Sequence, residues 1–134
     1  MAMKKFYVGV KGIIRTEQGY LLLRHAKGHY DTPGGRMDGY ETFEQTIKRE
    51  LDEELPGITD VEIGEMVGSY RLQKDIDGDI GLVLLYFLVN AKLPSPIQLS
   101  DEHQSYQWIL TTSDIPKNLN AEIDGVLRKL LSNQ

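Results

Sequence analysis

The segment Arg49-Glu50-Leu51-Asp52-Glu53-Glu54 holds the residue types whose spacing could do chemistry. At about 100° per residue, a helix brings Glu50 and Glu54 together on one face, with Glu53 beside them. Ile47, Leu51 and Leu55 form the adjoining apolar stripe, so these carboxylates fall on the border between core and water. Asp52, Glu53 and Glu54 also fall in the last turn, where the helix dipole is negative and each acid costs roughly 0.3–1 kcal/mol. A Glu-rich helix end is often no more than a solvated face. A divalent cation would reverse the sign of the problem, because crowded acids then become ligands. All-oxygen ligation favours Mg²⁺ or Mn²⁺ over zinc.

The elements that must position these acids can be read from periodicity and turn signals. Phe6 to Arg15 reads as a strand, Thr16-Glu17-Gln18-Gly19 as a turn, and Tyr20 to Arg24 as a second strand. His25 to Gly35 reads as a loop. Thr42 to Leu55 has helical spacing, with Phe43, Ile47, Leu51 and Leu55 four residues apart, and Pro56-Gly57 ends it. Val61 to Lys74 and Ile80 to Ala91 read as strands joined at Asp75–Asp79, where Asp77-Gly78 is a hairpin signal. Ser105 to Leu110 is a short strand. Ala121 to Leu131 is an amphipathic helix with Ile123, Val126, Leu127, Leu130 and Leu131 on its apolar side. Strands with one internal and one terminal helix predict an α/β domain with a mixed sheet between helices.

Composition narrows the function class. At 134 residues the chain fits one domain, expected to span residues 1–134, with no internal repeat or linker. Hydrophobic residues at 40% and charged residues at 26% suit a folded core. The absence of cysteine excludes disulfides, thiolate metal sites and thiol nucleophiles, and is compatible with the cytoplasmic location expected here. Met1-Ala2-Met3-Lys4-Lys5 leads into a strand-like run rather than a signal peptide. The longest apolar run, Leu82 to Val89, is short of the about 20 residues a membrane helix needs, so no membrane partner is expected. With a net charge of −5 there is no basic coat for nucleic acid, and an anionic phosphate substrate would need a bound cation or local Arg and Lys.

The wider spacing changes the weight of the acidic helix. Thr32-Pro33-Gly34-Gly35 precedes Glu41, and the full pattern is Gly35-x5-Glu41-x7-Arg49-Glu50-Leu51-x-Glu53-Glu54. Seven fixed positions agree over twenty residues, and the pattern resembles the signature of the Nudix (MutT-like) hydrolases. Pro33-Gly34-Gly35 before it and Trp108 after it also resemble the family. The pattern departs at the helix exit. One residue, a glycine and an aliphatic usually follow the paired glutamates, but here Gly57-Ile58 come one place late, after Pro56. Tyr40 likewise stands where a glycine is common, with Gly39 displaced by one.

The resemblance implies a Nudix-type α/β/α sandwich and a metal-dependent pyrophosphohydrolase that uses Mg²⁺ or Mn²⁺ to direct water at phosphorus. It implies Glu50, Glu53, Glu54 and the carbonyl of Gly34 as metal ligands, and Arg49 with Glu41 as a brace between loop and helix. Glu102, in an acidic loop before Trp108, matches a further ligand or the base, with Glu50 the rival base. The expected partner is a small nucleotide-type substrate, namely a nucleoside triphosphate, a nucleotide sugar or a dinucleoside polyphosphate. A homodimer is the assembly the family suggests. The competing class is a noncatalytic Nudix-fold nucleotide-binding module. Loss of a ligand glutamate would mark that class, and all three are present.

Weaker signals lie elsewhere. Arg24, His25, Lys27 and His29 precede Pro33 and are candidates to meet phosphates or base. Tyr30, Tyr70 and Arg71 are candidate pocket residues, with sheet packing the plainer role for the tyrosines. The histidines show no convincing metal spacing beyond the i,i+4 pair His25 and His29. Asp75-x-Asp77-x-Asp79 resembles the start of a calcium loop, but Ile80 occupies the required glycine position and Tyr86 the required glutamate, so it reads as a hairpin turn.

Overall fold

The computed structural model describes residues 3–133; Met1 and Ala2, at the head of the expected N-terminal run, and Gln134 lie outside it. The elements in order are β1 (Phe6–Thr16), β2 (Gly19–His25), β3 (Tyr30–Asp31), β4 (Gly34–Arg36), α1 (Phe43–Glu54), β5 (Thr59–Arg71), β6 (Gly81–Lys92), β7 (His103–Ile109) and α2 (Ala121–Ser132), with a 3-10 turn at Thr112–Asp114. The seven strands form one mixed sheet of order β3-β2-β1-β6-β5, with β4 on β1 and β7 on β2. The β1–β6 pair is parallel and the other pairs are antiparallel.

The two helices cover opposite faces, and the strand pleat explains the division. Leu21 and Leu23 point to the face capped by Ile47, Leu51 and Leu55 of α1, together with Val10, Ile14 and Val89. Their neighbours Tyr20 and Leu22 point to the face capped by Ile123, Val126 and Leu127 of α2, together with Ile13 and Tyr86. A strand buried on both faces reads as an unbroken apolar run, which is the pattern of Leu21-Leu22-Leu23. Among the described residues no helix is long and apolar enough to cross a membrane.

Local chemistry sets the ends of α1. The Thr42 side chain accepts from Gln45 N, while the Gln45 side chain accepts from Thr42 N, a complete capping box. The expected helix of Thr42 to Leu55 is observed with those two residues as its caps. The displaced glycine at the exit has a conformational reason. Gly57 takes φ +89, a left-handed geometry that glycine adopts without strain, and Ile58 then turns back into the core. The added residue is absorbed in the exposed turn and leaves the helix face intact.

Two expectations about the loops are revised. The segment read as loop from His25 to Gly35 contains β3 and the start of β4, and β5 ends at Arg71 rather than Lys74. The Asp75–Asp79 turn is a hairpin end, as expected. Gly78 takes φ +60, Asp75 pairs with Lys4 at 2.7 Å, and Asp77 accepts from the Tyr7 hydroxyl at 2.7 Å.

Leu51 is fully buried where α1 meets the sheet. Leu51→Ala is expected to cost roughly 2–5 kcal/mol of stability, read by urea unfolding. A loss below about 1 kcal/mol would contradict this packing of α1.

Candidate active site

The Gly34-Gly35 loop is pressed between β1 and the acids of α1. β4 runs antiparallel to β1, with Lys11 opposite Gly34 and Val10 opposite Gly35. Gly12 N donates to the Pro33 carbonyl at 2.8 Å. Gly34 takes φ +151, and a Cβ there would drive into the Val10 carbonyl; a Cβ on Gly35 would collide with the Glu50 carboxylate. Only glycine lets this backbone come so close to both neighbours. The contact that results is a hydrogen bond from Gly34 N to Glu54 Oε2 at 2.8 Å.

Arg49 ties the next stretch of loop to the helix. Its Nε and Nη2 donate to the two oxygens of Glu41 at 2.9 and 2.8 Å, a bidentate pair. Its Nη2 also reaches the Arg36 carbonyl at 3.2 Å, and its Nη1 donates to Glu50 Oε1 at 2.8 Å. Glu41 Oε1 accepts in addition from Asp38 N at 2.9 Å and from the Thr46 hydroxyl at 3.0 Å. The Arg49 hydrogen bonds, followed by that of Asp38 N, hold the Glu41 carboxyl down at about 2. Arg49 and Glu41 therefore meet as the sequence pattern predicts, and they join Arg36, Asp38 and the helix into one network.

The acids themselves differ sharply. Glu54 is only 6% exposed. Burial pushes its carboxyl from 4.5 up to about 7, against the Gly34 N–H and the Lys11 charge, with Glu50 and Glu102 adding repulsion. Burial also raises Glu50, and Arg49 opposes the rise while Glu53 and Glu102 add to it. Glu53 and Glu102 are exposed, as is Asp52. The structure thus brings Glu50, Glu53, Glu54 and Glu102 within one field of mutual repulsion.

His103 belongs to this cluster, which spacing along the chain did not suggest. Donor atoms of Glu54, Glu102 and His103 all lie within 4.8 Å of one another. His103 Nε2 is 3.9 Å from Glu54 Oε1. Burial holds the imidazole below its ordinary range, so this contact joins a neutral ring to a carboxyl group at neutral pH. The pairing of β2 with β7 sets His25 opposite His103. The rings of His25 and His103 meet edge to face at 6.1 Å, and His25 stacks on His29 at 4.6 Å. All three histidines of the chain are therefore neighbours.

A cavity of about 730 Å³ adjoins the acids through Lys11, which lines it and also acts on Glu54. Its walls include Tyr30, Asp31, Tyr70, Tyr86, Asn120 and Glu122. Tyr30 is thus in the wall, and Tyr70 is there too, 39% exposed rather than packed on the sheet. Arg24 is exposed and lies over the Tyr30 ring at 6.0 Å, outside the cavity lining. Arg71 opens instead on a separate hollow with Lys4 and Phe6, because the strand pleat turns it away from its neighbour Tyr70. Lys11, Asp31, Asn120 and Glu122 were missed. Of these only Lys11, a lone charge inside the apolar run of β1, carried a signal in the sequence.

A family model described as NUDIX domain matches residues 5–130. No curated protein matches the chain in sequence. Among solved structures, the MutT protein from Methanosarcina mazei Go1 is 22% identical, with a TM-score of 0.78 over 99% of this chain and 98% of that one. The E. coli ORF135 protein is 24% identical, with a TM-score of 0.75 over 96% of this chain and 91% of that one. A C. elegans Ap4A hydrolase binary complex is 27% identical, with a TM-score of 0.70 over 93% of this chain and 96% of that one. The two structures below 25% identity establish the shared α/β sandwich fold, and the family model covers the loop, the acidic helix and both core layers. This chain belongs to the NUDIX domain family and is a Nudix hydrolase, an enzyme of pyrophosphate bonds.

Proposed function

We propose that this enzyme cleaves the phosphoanhydride bond of a nucleoside diphosphate linked to a further group, by attack of water at phosphorus with Mg²⁺ or Mn²⁺ as cofactor. The observation that carries the reading is the buried Glu54 carboxyl, oriented by Gly34 N and surrounded by Glu50 and Glu102. Such a group of acids is unfavourable alone and favourable around a divalent cation. The donor set fits a hard ion: Glu50, Glu53 and Glu54 would hold it, with the Gly34 carbonyl. When bound, the cation supplies a lowered pKa for the attacking water and charge to offset the phosphate oxygens.

The remaining roles fall to the chain. Arg49 and Glu41 hold the loop on the helix, which keeps Gly34 in place against Glu54. The organic part of the substrate occupies the cavity beside Lys11, between Tyr30 and Tyr70, whose size suits a small ligand. Arg24, over the Tyr30 ring beside the cavity, meets phosphate charge, whereas Arg71, which opens on a separate hollow, takes no part in this reading. Glu50 and Glu102 are the two acids placed to take the proton from water. Variants separate them, since loss of the base lowers kcat by about 10²–10⁴, and Glu50→Gln and Glu102→Gln are compared by their kcat at saturating cation. The similar C. elegans structure is of an Ap4A hydrolase, which supports a nucleotide with a polyphosphate chain.

The reading is tested with a panel of nucleoside triphosphates, nucleotide sugars and dinucleoside polyphosphates, assayed for phosphate or nucleotide release with Mg²⁺ and with Mn²⁺. Turnover of at least one is expected. A folded chain that releases nothing from any of them is a binding module instead.

Glu54→Gln and, separately, Glu53→Gln are expected to lower kcat by at least about 10², more than the usual cost of disturbing a ligand's outer partners, while the fold survives. Near-normal release by both folded variants with Mg²⁺ would sink the metal-helix assignment. A second prediction concerns pH. The Glu54 carboxyl is raised in the folded chain, so without a cation the stability it contributes is full below pH 4.5 and falls as pH rises through about 7. A cation binds the deprotonated form. The rise in Tm on adding Mg²⁺ is therefore expected to be larger at pH 8 than at pH 5.5, and an equal rise at both would contradict the role given to Glu54.

A further inference from the structure

Arg36 is the last residue of β4 and directly follows Gly35, which lies against the Glu50 carboxylate. The strand register fixes the face on which its side chain emerges. Arg36 is opposite Gly9 of β1, and Gly9 is two residues from Lys11, so Arg36 and Lys11 share one face of the sheet. That face carries the cavity, which Lys11 lines. On the other side of Gly9 stands Leu84 of β6, also a lining residue. Arg36 is therefore at the border of the cavity, on the side of the loop that touches the acids. Its guanidinium is exposed but held. The Cζ lies 4.3 Å over the Tyr7 ring, and the Tyr7 hydroxyl donates to Asp77 Oδ2 at 2.7 Å. A carboxylate on the phenol polarises the ring and strengthens its grip on a cation. The turn that carries Asp77 is itself tied down, because Lys4 Nζ donates to Asp75 Oδ1 at 2.7 Å and to the Asp79 carbonyl at 2.6 Å. Among the described residues Arg36 forms no ion pair, whereas Lys11 pairs with Asp31, and Arg49 with Glu41 and Glu50.

We propose that Arg36 binds the diphosphate of the substrate where it passes from the cavity to the acids, with Tyr7, itself fixed by Asp77, as the positioning residue. The inference rests on the hydrolase reading above, in which the organic group occupies the cavity and the cleaved bond lies at the acids. A guanidinium whose direction is set, and which no carboxylate of the chain has claimed, suits an incoming anion. Its planar fork matches two phosphate oxygens at once, which a lysine in the same place does not. The Asp75–Asp79 turn, which lacks the residues of a calcium loop, thereby acquires a purpose: it fixes the ring on which Arg36 rests.

The test uses the full chain with Mg²⁺ and methylenediphosphonate, a diphosphate whose carbon bridge water does not cleave, measured by calorimetry. Arg36→Ala is expected to weaken diphosphonate binding by at least about tenfold, with the affinity for Mg²⁺ alone unchanged. Arg36→Lys, which keeps the charge without the fork, should recover only part of the loss. Tyr7→Leu should also weaken binding, and should add nothing further in the Arg36→Ala background, since a residue acting through Arg36 has no effect without it. Equal diphosphonate affinity in the wild-type chain and Arg36→Ala overturns the inference and leaves the hydrolase reading standing. An equal loss of Mg²⁺ affinity overturns it too, because Arg36 would then act on the metal site. A Tyr7→Leu loss that persists undiminished without Arg36 overturns the role given to Tyr7. A wild-type chain that binds Mg²⁺ but no diphosphonate overturns the inference, and one that binds neither overturns the hydrolase reading as well.

Discussion

The carboxyl of Glu54 sits at the end of α1, almost without access to water, and accepts a hydrogen bond from the backbone of Gly34. Around it stand Glu50 and Glu102, and the cation acting on it is Lys11, whose ammonium is drawn toward Asp31 at 3.2 Å. One hydrogen bond and one shared lysine do not offset the burial of a charge among like charges, so the carboxyl rises to about 7. Most of the surrounding structure serves to keep that acid where it is. A fold that places an acid against the helix dipole, against its neighbours and away from solvent sacrifices stability at one point, and such points mark function.

The supports are distributed over distant parts of the chain. β1 runs through the middle of the sheet and provides the backbone against which the Gly34-Gly35 loop lies. The apolar stripe of α1 anchors the helix on the face lined by Val10, Ile14 and Val89. Arg49 points the other way and grips Glu41, so one helix both packs on the core and holds the loop. β7, held by its pairing with β2, starts at His103 and so brings that residue and Glu102 just before it to Glu54. The acids of α1 therefore answer to three separate elements, and rigid elements hold donors more reliably than loops do.

The helix and its chemistry were legible because both follow a short period. Ile47, Leu51 and Leu55 recur every four residues and are all fully buried, whereas Asp52 between them is exposed. Strands β1, β2 and β6 were legible from their apolar runs. β3 and β4 were not, because strands of two and three residues have no period to read, and Gly34-Gly35 signals a turn. Tyr70 looked like sheet packing but stands near the end of β5, an edge strand, and lines the cavity. The histidine group was invisible for a different reason. His25 and His103 become neighbours only through strand pairing across most of the chain, and no local pattern encodes that register.

The state of Glu54 is the point on which the metal-site account turns, and it can be observed directly. Carboxyl ¹³C chemical shifts of glutamate-labelled protein, assigned with Glu54→Gln and followed through a pH titration, report its ionisation with and without Mg²⁺. A Glu54 midpoint near 7 is expected in the cation-free chain, with a fall of that midpoint on adding Mg²⁺ as the ion takes the place of the proton. A midpoint near 4.5 that Mg²⁺ leaves unchanged would mean that Glu54 is an ordinary solvated acid, and the account of the site would fail with it.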